Sequence, residues 1–216
     1  PKRIISLVPS QSELLFDLGL NDEIIGITKF CIHPIDKFAT RAKVGGTKKL
    51  KIDSIRALNP DLIIGNKEEN TRSEIELLRE EFPVWMSDIS NLEDSINTIE
   101  QIGELVNRAP EASYLNHLIQ AGFNDLQSLA VSKKIEQTVA YLIWKDPYLT
   151  AGSHTFIDDI LRKIGLNNVI KQSRYPETNI AQLKTYSPQL IFLSSEPYPF
   201  KTKHINEIQL AIPNAK

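Results

Sequence analysis

NPDLIIGNKE occupies residues 59–68 of this chain, and SPQLIFLSSE occupies residues 187–196. Each segment begins with a small polar residue followed by Pro, continues with an apolar run and ends with Glu. A continuous apolar run of this length is typical of a strand in a parallel sheet that is covered on both faces. The recurrence of the whole pattern after 128 positions predicts two equivalent α/β units in one chain.

Other segments repeat in the same order around these two. At the same spacing of 128, Ile52 aligns with Ile180, Ile55 with Leu183 and Pro60 with Pro188. At slightly different offsets, ELLFDLGLND (13–22) matches DILRKIGLNN (159–168), and FPVW (82–85) matches IPNA (212–215). An alternative explanation is that any two parallel α/β units share strand and turn signals. Three ordered matches favour two lobes, and they also predict that a helix equivalent to 92–106 follows Lys216.

The spacing of apolar residues predicts alternating strands and helices on both sides of one long helix. We expect strands at 3–8, 23–28, 61–65, 84–86, 139–144 and 190–193. We expect helices after the first strand and at 51–59, 70–81, 92–106, 155–164 and 180–186. Ser10 or Ser12 is the expected N-cap of the first helix, and Gly19 its C-terminal stop.

The long helix is predicted from Pro110 to about Ser132, because its apolar residues recur at spacings of three and four. It would be roughly 33 Å long, which suits a strut between two lobes. We therefore predict an α/β fold with two Rossmann-like parallel lobes, one backbone helix and a cleft between the lobes. The expected bounds are 1–108, 109–134 and 135–216.

Composition excludes several classes of function. The 216 residues are 41% hydrophobic and 24% charged, with a formal net charge of −2, which gives no basic field for nucleic acid or an anionic membrane. No run of 18 apolar residues could span a bilayer. The start, PKRIISLVPS, leads directly into a strand pattern and does not resemble a signal peptide. The single cysteine, Cys31, excludes an internal disulfide.

In parallel α/β lobes, ligands bind beyond the carboxyl ends of the strands, so the loops there are the candidate site. Phosphate-binding, dinucleotide-binding, nucleophile-elbow and zinc-protease motifs are all absent. His33 and His154 could bind a metal or the axial position of a metal chelate, or could simply be surface residues. A Cys31–His33 nucleophile pair lacks an obvious orienting partner. Trp144 suits either the core or a ligand platform, and we expect His117 and His204 to be solvated.

Three stretches resemble one known family: PKRIISLVPSQSELLFDLGLNDEIIGIT, VGGTKKLKIDSIRALNPDLIIGN and YLTAGSHTFIDDILRKIGLNNVI. They are similar to the substrate-binding proteins of bacterial ABC importers for cobalamin, heme and iron–siderophores, the helical-backbone metal receptor group. The resemblance implies that Phe30, Thr47, Trp144, Arg174 and Tyr175 line a cleft. Where the cobalamin-binding branch places a cleft tryptophan, this chain has Thr47 followed by Lys48.

The resemblance also implies a partner, an ABC permease that docks on one glutamate of each lobe. The candidates are Glu74 or Glu69 in the first lobe and Glu207 in the second, with Glu68 and Glu196 as a further possible pair. We expect a monomeric, non-catalytic receptor that needs no cofactor of its own and acts in the periplasm or otherwise outside the cytoplasmic membrane. The expected ligand-binding residues are Ser10, Phe30, His33, Thr47, Lys48, Trp144, Tyr148, Ser153, His154, Arg174 and Tyr175. The alternative is a metal-ion-binding protein or metalloenzyme that uses Cys31, His33 and His154.

Overall fold

The computed structural model describes residues 1–216, which form two compact units. The first unit contains Pro1–Ile89 and Ile96–His117. The second contains Ser90–Ser95 and Leu118–Lys216. None of the helices combines the length and the apolar composition that crossing a membrane requires.

Helices and strands alternate along the chain, which confirms the predicted α/β class. The helices are α1 (Pro9–Asp17), α2 (Ile35–Phe38), α3 (Ile52–Leu58), α4 (Arg72–Arg79), α5 (Leu92–Leu105), α6 (Ala109–Ser132), α7 (Phe156–Lys163), α8 (Ile180–Tyr186) and α9 (Thr202–Ala211). The strands are β1 (Ile4–Ser6), β2 (Ile24–Ile27), β3 (Ala42–Lys43), β4 (Leu62–Asn66), β5 (Val84–Ser87), β6 (Thr138–Trp144), β7 (Tyr148–Thr150), β8 (Asn167–Asn168), β9 (Glu177–Thr178) and β10 (Leu190–Leu193).

The sheet of the first unit is parallel throughout, as predicted. Its strand order is β3-β2-β1-β4-β5, and β1 pairs with both β2 and β4. Ile4, Ile5, Ile63 and Ile64 on the central strands have no exposed surface, because helices cover both faces of the sheet. Every strand therefore presents its carboxyl end to the same edge.

The sheet of the second unit is mixed, which corrects the prediction that both sheets are parallel. Its order is β10-β6-β7-β9, with β8 also paired to β6. Strands β10 and β8 run parallel to β6, whereas β7 is antiparallel to β6 and β9 antiparallel to β7. Only residues 145–147 join β6 to β7, and so short a connection can link only antiparallel neighbours.

The repeat seen in the sequence is present in the backbone. Helices α3 and α8 have seven residues each, and they begin 128 positions apart. Strands β4 and β10 also begin 128 positions apart. Gly19 after α1 and Gly165 after α7 have φ angles of 83° and 84°. The residue after each of these glycines donates its N–H to the carbonyl five residues earlier, Leu20 to Leu15 and Leu166 to Leu161. Both helices thus end in the same left-handed glycine turn.

The N-terminus of α1 differs from the prediction. The helix begins at Pro9, the N-cap position is Val8, and neither Ser10 nor Ser12 caps it. Pro suits the first helical position because its missing N–H would have no partner there. Ser12 is instead buried inside the helix, where its hydroxyl donates to the Val8 carbonyl at 3.0 Å and lies 3.1 Å from the Cys31 sulfur.

The long helix is confirmed as α6, whose 24 residues span about 36 Å. Within the first unit it packs closely on α5. A Cβ atom added to Gly103 on α5 would lie 2.4 Å from the Cβ of Ala112 on α6. The Asn116 side chain also donates to the Ile96 carbonyl at 3.0 Å. The two backbones approach so closely because both contact positions carry small residues.

Candidate functional site

Phe30 presents an aromatic ring at the carboxyl edge of the first sheet. It follows β2 and is 51% exposed, and one of its ring carbons would lie 3.1 Å from a Cβ added to Gly46. The Lys29 ammonium lies 4.9 Å from the ring centroid. The ring therefore contacts the glycine loop through one edge, about half of the residue is exposed, and a cation lies over the ring. Ser10, also on this edge, is exposed in the first turn of α1.

The adjoining loop, residues 45–49, is held by a polar side chain that the sequence analysis did not select. Asn70 is buried; its amide donates to the Thr47 carbonyl at 3.0 Å, and its side-chain oxygen accepts from the Asn66 N–H at 2.8 Å. Thr47 itself is only 8% exposed, and its place in a ligand-binding cleft stays a prediction. Lys48 is exposed, and its ammonium donates to the Glu68 carbonyl.

Cys31 and His33 do not form a nucleophile pair. Cys31 is 1% exposed, and its sulfur lies 3.1 Å from the hydroxyls of both Ser12 and Thr28. His33 is exposed two residues further on. The Cys31 thiol is packed in the core of the unit, although the residues on either side of it are exposed. No group of three or more His, Cys, Asp or Glu side chains is arranged to hold a metal ion anywhere in residues 1–216.

In the second unit, the loop after β7 and the loop after β8 are joined through their backbones. The Ser153 N–H donates to Gln172 at 2.8 Å, and the Arg174 N–H donates to Ser153 at 2.7 Å. A Cβ added to Gly152 would lie 2.0 Å from the Gln172 carbonyl oxygen, so only glycine permits this approach. Residues from both loops are among the predicted ligand-binding residues, but the hydrogen bonds between the two loops were not predicted.

A polar pocket of about 380 Å³ opens beside these loops. The His154 ring lies at its wall, with Nδ1 3.4 Å from the Ser153 hydroxyl and 3.3 Å from the Ser173 hydroxyl. Arg162 and Lys171 bring positive charge, and Arg162 donates to the Asp158 carboxylate at 3.1 Å. The pocket thus offers hydroxyl, imidazole and cationic groups to a polar ligand, and it contains two of the predicted residues.

Arg174 and Tyr175 lie together on the second of these loops. The Arg174 guanidinium carbon is 5.6 Å from the centroid of the Tyr175 ring, and the guanidinium donates to the His154 carbonyl at 3.5 Å. Arg174 is exposed with a φ of 65°, and Tyr175 is half-buried. The structure therefore brings together four predicted ligand residues of this unit: Ser153, His154, Arg174 and Tyr175.

The two aromatic candidates near the end of β6 have different environments. Trp144 is 39% exposed, whereas Tyr148 is 9% exposed and packs in the core of the second unit. Burial raises the pKa of Tyr148, and the nearby Glu207 carboxylate adds to the shift. Tyr148 lies on β7 and belongs to the same core cluster as Ile208 and Ile212, and its ligand-binding role stays a prediction.

Trp144 belongs to an aromatic cluster that the sequence analysis missed. Its ring centroid is 5.5 Å from that of Tyr198, which lies 4.8 Å from Phe200 and 5.5 Å from His204. His204 is 4% exposed, so the prediction that it is solvated was wrong. The segment EPYPFKTKH places two aromatic residues just before this histidine, and that spacing was the available signal.

The docking candidates also differ in their contacts. Glu74 accepts the Leu50 N–H with both carboxylate oxygens, at 3.1 and 3.3 Å, and is half-buried. Glu207 pairs with the Lys145 ammonium at 2.5 Å, and that hydrogen bond lowers the pKa of Glu207. Glu69 and Glu196 are exposed, and Glu68 is half-buried.

Comparison with known proteins places these observations in a family. A family profile described as periplasmic binding protein matches residues 4–210. A vitamin B12-binding protein of Vibrio parahaemolyticus is 26% identical over 198 residues, covering 89% of this chain and 70% of that protein. An uncharacterized ABC transporter substrate-binding lipoprotein of Bacillus subtilis, YvrC, is 27% identical over 175 residues, covering 78% of this chain and 55% of that protein.

Solved structures show the same fold. The crystal structure of a possible iron-binding, periplasmic solute-binding protein from Staphylococcus epidermidis matches with a TM-score of 0.85 at 20% identity, covering 99% of this chain and 85% of the other. A periplasmic heme-binding protein from Pseudomonas aeruginosa matches with a TM-score of 0.84 at 19% identity, covering 99% of this chain and 78% of the other.

Proposed function

Since this chain belongs to the periplasmic binding protein family, we propose that it is the non-catalytic solute receptor of an ABC importer and that its cargo is a metal chelate. The family match over residues 4–210 is the observation that carries this proposal. The relatives' names add the cargo class, because they describe vitamin B12-binding, heme-binding and iron-binding proteins. The receptor acts as a monomer outside the cytoplasmic membrane and delivers its cargo to a permease.

The chemistry of the candidate site residues in each unit supports a chelate as the ligand. Phe30 and Trp144 expose aromatic surface that can stack on a flat macrocycle. Lys48 and Arg174 bring cations that can meet the acidic substituents carried by heme and by many siderophores. His33 or His154 could supply an axial ligand to the metal of the chelate. No side chain in this scheme changes the cargo covalently.

The rival function, a site for a bare metal ion, receives no support. Of its three suggested ligands, Cys31 is buried and contacts Ser12 and Thr28. A thiol in that position cannot reach an ion brought by the solvent unless the core opens.

Docking to the permease would use exposed carboxylates. Glu196 and Glu69 are exposed, and Glu207 lies at the surface in its pair with Lys145. Glu74 is a weaker candidate, because its carboxylate already accepts the Leu50 N–H. Charged contacts of this kind set the orientation and rate of docking more than its affinity.

The test is a binding titration followed by tryptophan fluorescence and visible absorbance. The panel contains cyanocobalamin, dicyanocobinamide, hemin, ferric siderophores, and free zinc and iron ions. We expect one chelate to quench fluorescence saturably with a Kd of about 1 µM or lower, and the free ions to have no such effect. The variant with both His33→Ala and His154→Ala should retain much of the chelate binding. A response to the free ions alone, lost in that double variant, would overturn the proposal.

A further inference from the structure

Tyr198 links the exposed ring of Trp144 to the buried ring of His204. Its centroid lies 5.5 Å from each of them, and the Tyr198 side chain is half-buried. The planes of Trp144 and Tyr198 meet at 67°, the edge-to-face arrangement that aromatic pairs favour. Tyr198 therefore extends the aromatic surface that Trp144 begins at the end of β6.

His204 holds the backbone just after Tyr198. It is the third residue of α9, and its Nδ1 accepts the N–H of Lys201, the N-cap residue, at 2.9 Å. Because Nδ1 accepts this hydrogen bond, the neutral ring carries its proton on Nε2, which faces the Tyr198 hydroxyl at 3.5 Å. A single imidazole thus fixes both the start of the helix and the hydroxyl end of Tyr198.

Protonation of His204 is incompatible with this arrangement. A second proton on Nδ1 would turn that nitrogen into a donor facing the Lys201 N–H, and the hydrogen bond would be lost. The charged groups facing the ring are Lys145 at the end of β6, Lys201 at the cap, and Lys203 and Glu207 on α9. Burial lowers the pKa of His204, and the charge of Lys145 lowers it further.

We propose that Tyr198 is a ligand-binding residue of the second unit and that His204 is its positioning residue, so that binding at this edge weakens when His204 is protonated. The ligand part of this inference rests on the proposed function, whereas the positioning part does not. Tyr198 stacks beside Trp144 on the cargo, and His204 acts only through Tyr198.

The first experiment needs no ligand. In a Trp85→Phe background, Trp144 is the only tryptophan, and its emission reports on the contact with Tyr198. Between pH 8 and pH 4.5 we expect one titration step, displaced below the ordinary imidazole range because burial and the charge of Lys145 lower the pKa of His204. The other facing groups do not ordinarily titrate in that range, and Lys145 lowers the pKa of Glu207. His204→Gln should abolish the step while retaining the fold, since a glutamine at the third helical position can accept the N-cap N–H in the same way. A step that persists in His204→Gln would overturn the positioning role.

The second experiment uses hemin and dicyanocobinamide as probes at pH 7.5 and pH 5.5. For a probe that binds, Tyr198→Ala should raise the Kd about three- to tenfold. Tyr114→Ala, which removes an equally large ring that is 67% exposed on α6, is the matched control and should leave the Kd unchanged. In the parent chain the Kd should be higher at pH 5.5 than at pH 7.5. In His204→Gln the ratio of the Kd at pH 5.5 to the Kd at pH 7.5 should be smaller than in the parent chain.

The outcomes separate this inference from the proposed function. If neither probe binds the parent chain, the chelate proposal fails for these cargoes, and the ligand-free titration still decides the role of His204. If a probe binds equally well to the parent chain and to Tyr198→Ala, the ligand-binding role of Tyr198 is overturned while the receptor function stands.

Discussion

Asn59 and Ser187 end helices α3 and α8 in the same left-handed conformation, with φ angles of 45° and 47°, although they lie 128 positions apart. Each is followed directly by a proline, which cannot continue a helix. The sequence pattern that begins at these residues therefore encodes the same backbone conformation twice. In each case a left-handed turn leads from a helix into a parallel strand.

Replacing Ser187 with Gly should stabilise the protein. Serine has a Cβ that clashes in the left-handed region, and glycine does not, so we expect a gain of about 0.5–1 kcal/mol in the free energy of unfolding measured with urea. Asn59→Gly should gain less, because asparagine tolerates this region better. A lower stability for Ser187→Gly would show that the φ angle of 47° is not the dominant cost at this position.

The contact between α5 and α6 should be intolerant of a single added methyl group. Gly103→Ala would place a Cβ 2.4 Å from that of Ala112, and we expect a loss of about 1–3 kcal/mol in thermal or urea unfolding. Adding Ala112→Gly should recover part of the loss. Gly122→Ala is the matched control, because nothing lies within 4 Å of its added Cβ; it should be neutral or stabilising by up to about 1 kcal/mol. Equal effects of the two alanines would contradict close packing at Gly103.

Asp94 should stabilise the start of α5 in a pH-dependent way. Its carboxylate accepts the Ser90 N–H at 2.9 Å and the Ser90 hydroxyl at 2.7 Å, and these hydrogen bonds lower its pKa below the usual 3.8. The pKa is lower in the folded state, so the stabilisation is fully present above the unfolded pKa and is lost as the pH falls through the folded pKa. Asp94→Asn should therefore cost about 1 kcal/mol at pH 7 and progressively less as the pH falls below the usual pKa of 3.8 and through the lower folded pKa.

The control for Asp94 is Glu93→Gln, an exposed carboxylate in the same helical turn. Glu93→Gln should have little effect on the free energy of unfolding, both at pH 7 and at acidic pH. The free energy of unfolding should differ less between Asp94→Asn and the parent chain at acidic pH than at pH 7. If that difference stays constant as the pH falls, the role of the ionised carboxylate is contradicted.

On the first unit, Phe30 should matter for chelate binding and Ile32 should not. Both side chains are 51% exposed, so they form a matched pair. Phe30→Ala removes a ring that can stack on a macrocycle, and we expect the Kd for the chelate identified in the titration to rise about three- to tenfold. Ile32→Ala should change it less than twofold. Equal losses in the two variants would point to general loss of apolar surface in this loop.

The sequence predicted the elements whose signals are local. The apolar run of β4, the three- and four-residue spacing of α6 and the glycines after α1 and α7 each follow from nearby residues, and the structure contains all of them. The recurrence of these signals was enough to predict two α/β units before any contact was known.

What could not be predicted depends on residues distant in sequence. Cys31 lies on a segment that is otherwise exposed, and only the approach of Ser12 and Thr28 makes its environment a core. The lysines beside His204 in the sequence predict a solvated side chain, yet Tyr198 and Phe200 cover it in the fold. Tertiary packing decides burial at such positions, and no local pattern reports it.

The hairpin between β6 and α7 gives the two halves of this chain unequal connections. In the first unit only residues 7 and 8 separate β1 from α1, whereas residues 145–155, including all of β7, separate β6 from α7. The second unit therefore has an additional strand at a point where the first unit has a two-residue turn. Residues of that longer connection can change without altering the helices and strands that recur in both units.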